Sequence, residues 1–242
     1  MIGHIDIHAV EHCNYHCRDC GHFSPHKTAQ VHQAADFIPD LQAVHNWAEL
    51  AEVCVLGGEP FLHPELRAFL RDIRNAGDWR IRLVTNGFWG EGHPEWVREY
   101  KQIVDTLQVC LHGETRLTWP EAQSVFCGAH GADELWDKRQ EGSGGWLPLL
   151  FSETDLGDRF DPSHPYLCSW RECYALHEGT LYHCAVQAYS EQHLVGRAFW
   201  AARNTDGFHV ATGTKEQFEQ WLGRHSAACH FCRTGYEGHL QE

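Results

Sequence analysis

Apolar and polar positions alternate along Ile2–Val10 (I-G-H-I-D-I-H-A-V), the period of a half-buried strand. From Ile38 to Glu52 the period changes. Leu41, Val44, Trp47, Ala48 and Ala51 recur at helical spacing, and Pro39 suits a first helical turn. Val53-Cys54-Val55-Leu56 is a short unbroken apolar run, which predicts a strand covered on both faces. A second helix is expected over Leu62–Ala76, with Leu66, Phe69, Leu70 and Ile73 on one side. A strand over Ile81–Val84, a helix over Pro94–Tyr100 and a strand over Thr106–Leu111 follow. Strand and helix therefore alternate, and that order predicts a parallel sheet with right-handed crossovers.

After Leu111 the periodicity fades. Trp119, Trp136 and Trp146 mix with acidic residues, Glu141–Gly145 reads as a loop, and Trp146–Phe151 reads as a late strand that Pro148 confines to an edge. No fifth-strand signature stands out. A closed eight-unit barrel takes about 250 residues, and part of this 242-residue chain is patterned differently. The expected fold class is α/β, a partial, open (β/α) barrel.

Composition narrows the function. Formal net charge is −14, with 33 acidic against 19 basic residues, which argues against a nucleic-acid partner. No apolar run is long enough to span a membrane, and no basic-then-apolar signal segment opens the sequence. The 11 cysteines then read as metal ligands rather than disulfides, and the expected location is cytoplasmic. The 20 histidines are scattered through polar stretches and are expected mostly at the surface.

Candidate chemistry concentrates in Glu11–Pro25, where Cys13, Cys17 and Cys20 have the spacing C-x3-C-x2-C. Thiolates select iron–sulfur clusters or zinc. Three ligands on a four-iron cubane leave one iron open to a substrate or cofactor, whereas a structural zinc would be closed and tetrahedral. Gly57-Gly58-Glu59-Pro60 follows the apolar run. Its glycines permit close backbone approach and Glu59 can accept from an ammonium group; a plain turn is the alternative. Thr85-Asn86-Gly87 follows the next strand and His112-Gly113-Glu114 the one after. All four segments fall at C-terminal strand ends, where such sheets bind ligands. Farther on come Cys168, Cys173, Cys184, Cys229 and Cys232. Gly179 suits a hairpin turn among them, and Phe218–Leu222 reads as a helix leading to the last pair. These cysteines fit a second cluster, a zinc site or buried thiols. Cys54 and Cys110 lie in apolar strands and are expected to pack as small hydrophobes.

The cysteine triplet after a strand, then Gly57–Pro60, then Thr85–Gly87, each in that order, resemble the signatures of the radical S-adenosylmethionine (radical SAM) superfamily. The resemblance implies a [4Fe-4S] cluster on Cys13, Cys17 and Cys20 whose open iron binds S-adenosyl-L-methionine (SAM). Gly57, Gly58, Glu59 and Pro60 would hold the amino group of its methionine part, with Thr85 and Asn86 at the ribose and methionine end and His112 nearby. The residue before the third cysteine, commonly aromatic or apolar in this family and touching adenine, is Asp19 here; Phe23 or the backbone would replace that contact.

The later pattern, Cys168-x10-Gly179-x4-Cys184 and then Cys229-x2-Cys232, resembles the twitch domain, a shortened SPASM domain. It implies a small C-terminal α+β unit over 166–242 after a core over 1–165. A second, auxiliary [4Fe-4S] cluster would sit on Cys168, Cys184, Cys229 and Cys232, with Cys173 a rival to Cys168. The implied enzyme is an oxidoreductase that abstracts hydrogen from a small polar metabolite (a sugar, aminocyclitol or nucleoside) by means of a 5′-deoxyadenosyl radical. The electron donor would be of flavodoxin or ferredoxin type. A two-electron oxidation with the auxiliary cluster as acceptor fits best, and the layout is similar to that of twitch-bearing aminocyclitol dehydrogenases. An epimerisation in which Cys173 or Cys127 returns a hydrogen atom stands beside it, as does a non-catalytic zinc or iron–sulfur protein. Peptide-modifying relatives carry an N-terminal recognition domain, which a chain starting at its first strand is not expected to have. The tryptophans would stack on substrate rings or fill the core.

Overall fold

A computed structural model describes residues 1–17, 20–88, 99–112, 118–129, 132–137, 173–195, 197–224 and 226–231. Among these, strands β1 (Ile2–Val10), β2 (Leu50–Gly57), β3 (Arg80–Thr85), β4 (Thr106–Leu111) and β5 (Glu134–Asp137) form the parallel order β5-β4-β3-β2-β1. Helices α1 (Ile38–Ala48) and α2 (Leu66–Ala76) cross over between β1 and β2 and between β2 and β3. Period two sends Ile5, Ile7, Val53, Val55, Ile81, Leu83, Leu107 and Val109 into one core with Leu41, Val44, Leu66, Phe69, Leu70 and Ile73 of the helices. Each such side chain, fully buried, contributes roughly 1.5–3 kcal/mol.

Several boundaries differ from expectation. α1 stops at Ala48, not Glu52, because Leu50 already pairs with Ile2 in the sheet. A turn at Glu49, with φ of 35°, separates helix from strand. α2 begins at Leu66, not Leu62, since Pro60–Leu62 forms a separate 3-10 turn capped by the Glu59 carboxylate. β5 was not foreseen; at four residues it is too short to show a period. β1 is not half-exposed: its polar positions Asp6 and His8 are buried. The expected helix at 94–100 lies outside the described residues up to Glu99, as do the loop at 141–145 and the strand at 146–151.

The sheet continues past β1 with β6 (Cys173–His177), parallel to it through His4↔Cys173 and Asp6↔Ala175. β7 (Thr180–Tyr182) and the two-residue β8 (Phe208–His209) follow antiparallel. Glu178 and Gly179 turn the β6–β7 hairpin with φ of 48° and 73°, the doubly positive geometry that tight hairpins favour and glycine eases. Between β7 and β8 lie α3 (Ala185–Tyr189), a single turn at Gln192–Val195 and α4 (Arg197–Asp206), and α5 (Lys215–Leu222) comes after β8. Thr214 and Gln217 cap α5 reciprocally, and its Phe218 and Trp221 join the main core beside Trp47 and Phe208. Among the described residues no helix is long and apolar enough to cross a membrane.

Candidate active site

The segment after β1 and the loops after β2, β3 and β4 converge on a cavity of about 900 Å³. Cys13, Cys17, Cys20, Gly57, Gly58, Glu59, Thr85, Asn86 and His112 all line it. Pro60 is buried just behind. The motif residues are joined to one another directly. Gly58 N–H donates to Val10 O (2.9 Å) and Glu59 N–H to His12 O (3.0 Å), so the glycine-rich loop docks by backbone onto the cysteine loop. No side chain fits in that contact: a Cβ on Gly58 would lie 1.7 Å from the His12 carbonyl oxygen.

Glu59 was expected to offer its carboxylate to an ammonium group. It is instead fully buried and accepts from Thr85 Oγ1 (2.6 Å), Asn86 N–H (2.8 Å) and Phe61 N–H (3.2 Å). It therefore clamps the second motif to the third. Burial pushes its acid up to about 7 against those hydrogen bonds. The Asn86 amide donates in turn to Asn14 Oδ1 (2.9 Å) and to Cys13 Sγ (3.6 Å), which closes the circuit to the first motif.

Burial pushes the Cys13 thiol up to about 12; the Tyr15 N–H opposes this, while Glu59, Cys17 and Cys20 add to it. A thiolate there needs a positive centre beside it, which a metal group supplies. No three His, Cys, Asp or Glu side chains among the described residues converge closely enough to hold one metal ion. The donor set itself is three soft thiols on one cavity wall. Ser24 Oγ on the same cavity is buried and has no hydrogen-bond partner among the described residues, a polar atom that a ligand could satisfy. The residues present therefore fit a thiolate-held cluster with a polar cofactor beside it.

Other expected site residues are placed differently. Phe23 packs toward Val186, Phe199 and Ala228 and is not among the cavity-lining residues. Cys173 lines the cavity from β6, whereas Cys127 is exposed on the π-helical segment Gln123–Ala129 and is not among the lining residues. Cys54 and Cys110 are buried as expected but face the cavity rather than the hydrophobic core; the alternation of β2 and β4 dictates this. Cys184 and Cys229 flank α3, with the Gln187 amide 3.9 Å from Cys229 Sγ. Cys168, Cys232 and Asp19 lie outside the described residues.

Sequence reasoning also missed a buried string of histidines beneath the cysteine loop. His63 Nε2 donates to His32 O (2.9 Å), while His32 Nε2 and His8 Nδ1 bond the two oxygens of Glu11 at 2.9 and 3.1 Å. His8 Nε2 pairs with His22 Nδ1 (2.9 Å), and Tyr189 stacks on His8. Burial alone would raise the Glu11 acid, but the hydrogen bonds from His32 and His8 hold it well below the usual range. Burial pushes His22 down to about 3. His8, His32 and His63 are thus core residues, contrary to the surface placement expected of most histidines. The period-two placement of Asp6 and His8 on one face of β1 was the available signal.

Two structures of BtrN match the chain with a TM-score of 0.53. The one in complex with AdoMet and 2-DOIA is 15% identical, covering 99% of this chain and 90% of that one. The other, an open conformation, is 13% identical over 96% and 92%. SuiB from Streptococcus suis bound to the precursor peptide SuiA gives a TM-score of 0.40 at 13% identity, over 60% of this chain and 42% of that one. No curated protein matches the chain in sequence. At these identities the BtrN likeness speaks for a shared fold. The family model that matches is the Radical SAM superfamily, over residues 7–119, a stretch that contains all three motifs: this part of the chain is similar to radical SAM domains.

Proposed function

We propose that the chain is an enzyme in which Cys13, Cys17 and Cys20 hold a [4Fe-4S] cluster, with SAM lying along Gly57–Pro60, Thr85, Asn86 and His112. Bound together, these groups supply reductive cleavage of SAM to methionine and a 5′-deoxyadenosyl radical that abstracts hydrogen from a substrate carbon. The observation that carries the reading is the direct hydrogen-bonded joining of three separate motifs around one cavity, from Gly58 and Glu59 to the cysteine loop and from Asn86 to Cys13. Gly57 and Gly58 keep the wall at backbone thickness, Glu59 fixes the loops, and Ser24 Oγ offers an unsatisfied hydrogen bond.

The substrate in this reading is a small polar metabolite: a sugar, aminocyclitol or nucleoside. BtrN, similar in fold, is seen with 2-DOIA, which supports a small molecule here. The favoured outcome is a two-electron oxidation. Its electron acceptor is an auxiliary [4Fe-4S] cluster on Cys168, Cys184, Cys229 and Cys232 in a twitch unit over 166–242. The Gly179 hairpin and the Gln187 amide beside Cys229 support that unit. Epimerisation is retained as a second reading because Cys173 lines the cavity and a thiol there could return a hydrogen atom; the exposed Cys127 is not retained.

The test is anaerobic reconstitution with iron and sulfide, then dithionite and SAM. 5′-Deoxyadenosine should form, and Cys13→Ala should abolish it; bound zinc without SAM cleavage would overturn the reading. About eight irons per chain are expected for two cubanes and about four for one. Solvent deuterium in product would favour epimerisation over oxidation.

A further inference from the structure

The cavity has a floor that the three motifs do not build. Asp6 of β1, Glu52 of β2, Arg82 of β3, Gln108 of β4, and Glu134 and Trp136 of β5 all line it. Each lies nearer the N-terminal end of its strand than the motif that follows that strand. Barrel interiors are normally filled at this level by layers of branched apolar side chains. Charged groups there are costly unless paired, so their presence needs a reason.

Pairing supplies only part of one. Arg82 Nε donates to Glu52 Oε1 (2.8 Å), and Arg82 NH1 donates to Glu134 Oε2 (2.8 Å) and Gln108 Oε1 (3.0 Å). One guanidinium thus serves two carboxylates. Among the described residues that line the cavity, no other Lys or Arg occurs. Asp6 adds a third carboxyl, with His4 Nε2 at 3.8 Å. Burial pushes its acid up to about 7, a hydrogen bond with Cys54 opposes that rise, and the Glu52 charge adds to it. Among the described residues the floor is therefore short of positive charge. Gln108 is held at both ends, its oxygen by Arg82 and its amide by Cys110 Sγ (3.2 Å). Trp136, two residues after Glu134 and on the same face of β5, is 46% exposed and presents an aromatic surface to the cavity. The cavity volume of about 900 Å³ lies within the ~300–1,000 Å³ that small-ligand sites span, and it reaches from the rim motifs to this floor.

We propose that Asp6, Glu52, Arg82, Gln108, Glu134 and Trp136 form a recognition subsite for a hydroxylated ring bearing a protonated amine. The ammonium supplies the missing positive charge beside Glu134 and Glu52, ring hydroxyls meet Arg82 and Gln108, and Trp136 covers a ring face. This deepens the radical SAM reading and rests on it for the fate of the ring, but recognition itself needs no turnover.

Binding is therefore measured calorimetrically on the full chain, reconstituted and SAM-loaded but without reductant. The probes are 2-deoxystreptamine, its di-N-acetyl form and scyllo-inositol. The amine should bind at least about tenfold tighter than either neutral ring, a margin that one charge-assisted contact supplies. Glu134→Gln should erase most of that preference, and Trp136→Ala should weaken all three probes. Equal binding of amine and neutral rings, no measurable binding of any probe, or an unchanged preference in Glu134→Gln would overturn the subsite. The wild-type comparison stands even if a variant fails to fold. SAM cleavage without amine preference removes the subsite alone. Amine preference without SAM cleavage removes the radical reading alone.

Discussion

The rim and the floor of this cavity are built by different rules. At the rim the decisive contacts are made by or to the backbone: Gly58 to Val10, Glu59 to His12, and Asn86 N–H to the Glu59 carboxylate. On the floor they run side chain to side chain between neighbouring strands, as in Arg82 with Glu52, Gln108 and Glu134. Backbone contacts tolerate few residue types and few chain paths. Side-chain contacts on a pleated sheet can be exchanged one position at a time without moving a loop. The rim is thus suited to a fixed chemistry and the floor to an adjustable ligand.

The strongest way to break that contrast is Gly58→Ala. A methyl group 1.7 Å from the His12 carbonyl oxygen must push apart two backbones, not a flexible side chain. We expect a loss of about 3 kcal/mol or more, read from chemical denaturation, together with loss of SAM cleavage. A stable, active variant would show that the rim is as adaptable as the floor.

Glu59→Ala comes next. It leaves Thr85 Oγ1, Asn86 N–H and Phe61 N–H without the acceptor they now share in a fully buried place. The expected cost is about 2–3 kcal/mol, seen as a lower denaturant midpoint with an unchanged slope. Glu59→Gln, which keeps an acceptor oxygen, should lose less.

An effect spread over pH comes from Asp6. Burial pushes its folded-state acid up to about 7, above the ordinary Asp value of about 3.9, so between these the folded protein holds a proton that the unfolded chain has released. Stability from this group is fully present below about pH 4 and is lost as pH rises through about 7, by up to about 1.4 kcal/mol per pH unit. Glu59, also pushed up to about 7 by burial, acts with the same sign. Asp6→Asn should therefore reduce, not abolish, the fall in thermal stability between pH 4 and 7. An unchanged pH profile would show that Asp6 is not held as the neutral acid.

The same contrast explains what the sequence disclosed. Cys13–Cys20, Gly57–Pro60 and Thr85–Gly87 are contiguous because each is one loop, and the strands that precede them have clear periods. The floor draws one or two residues from each of five strands spread between Asp6 and Trp136, a juxtaposition that only the sheet register creates. β5 was invisible at four residues, and with it Glu134 and Trp136. The histidine string was hidden for a related reason: His8, His22, His32 and His63 come from separate turns and strands, and their polarity reads locally as surface. α1 was overextended because Ala51 kept the helical spacing even though pairing of Leu50 with Ile2 had already begun the strand.

The smallest expected effect is the most informative about the floor. Glu134 lies on the outermost of the described strands with its side chain 34% exposed, and its pair with Arg82 is shared with Glu52 and Gln108. An ion pair of that exposure contributes about 0–1 kcal/mol, and Arg82 keeps two partners without it. Glu134→Gln should therefore move the thermal midpoint by no more than a few degrees whether or not it alters ligand binding. If it costs well over 1 kcal/mol instead, the charges on the floor are a structural network that holds β5 to β3 and β4, and the division between a fixed rim and an adjustable floor does not hold.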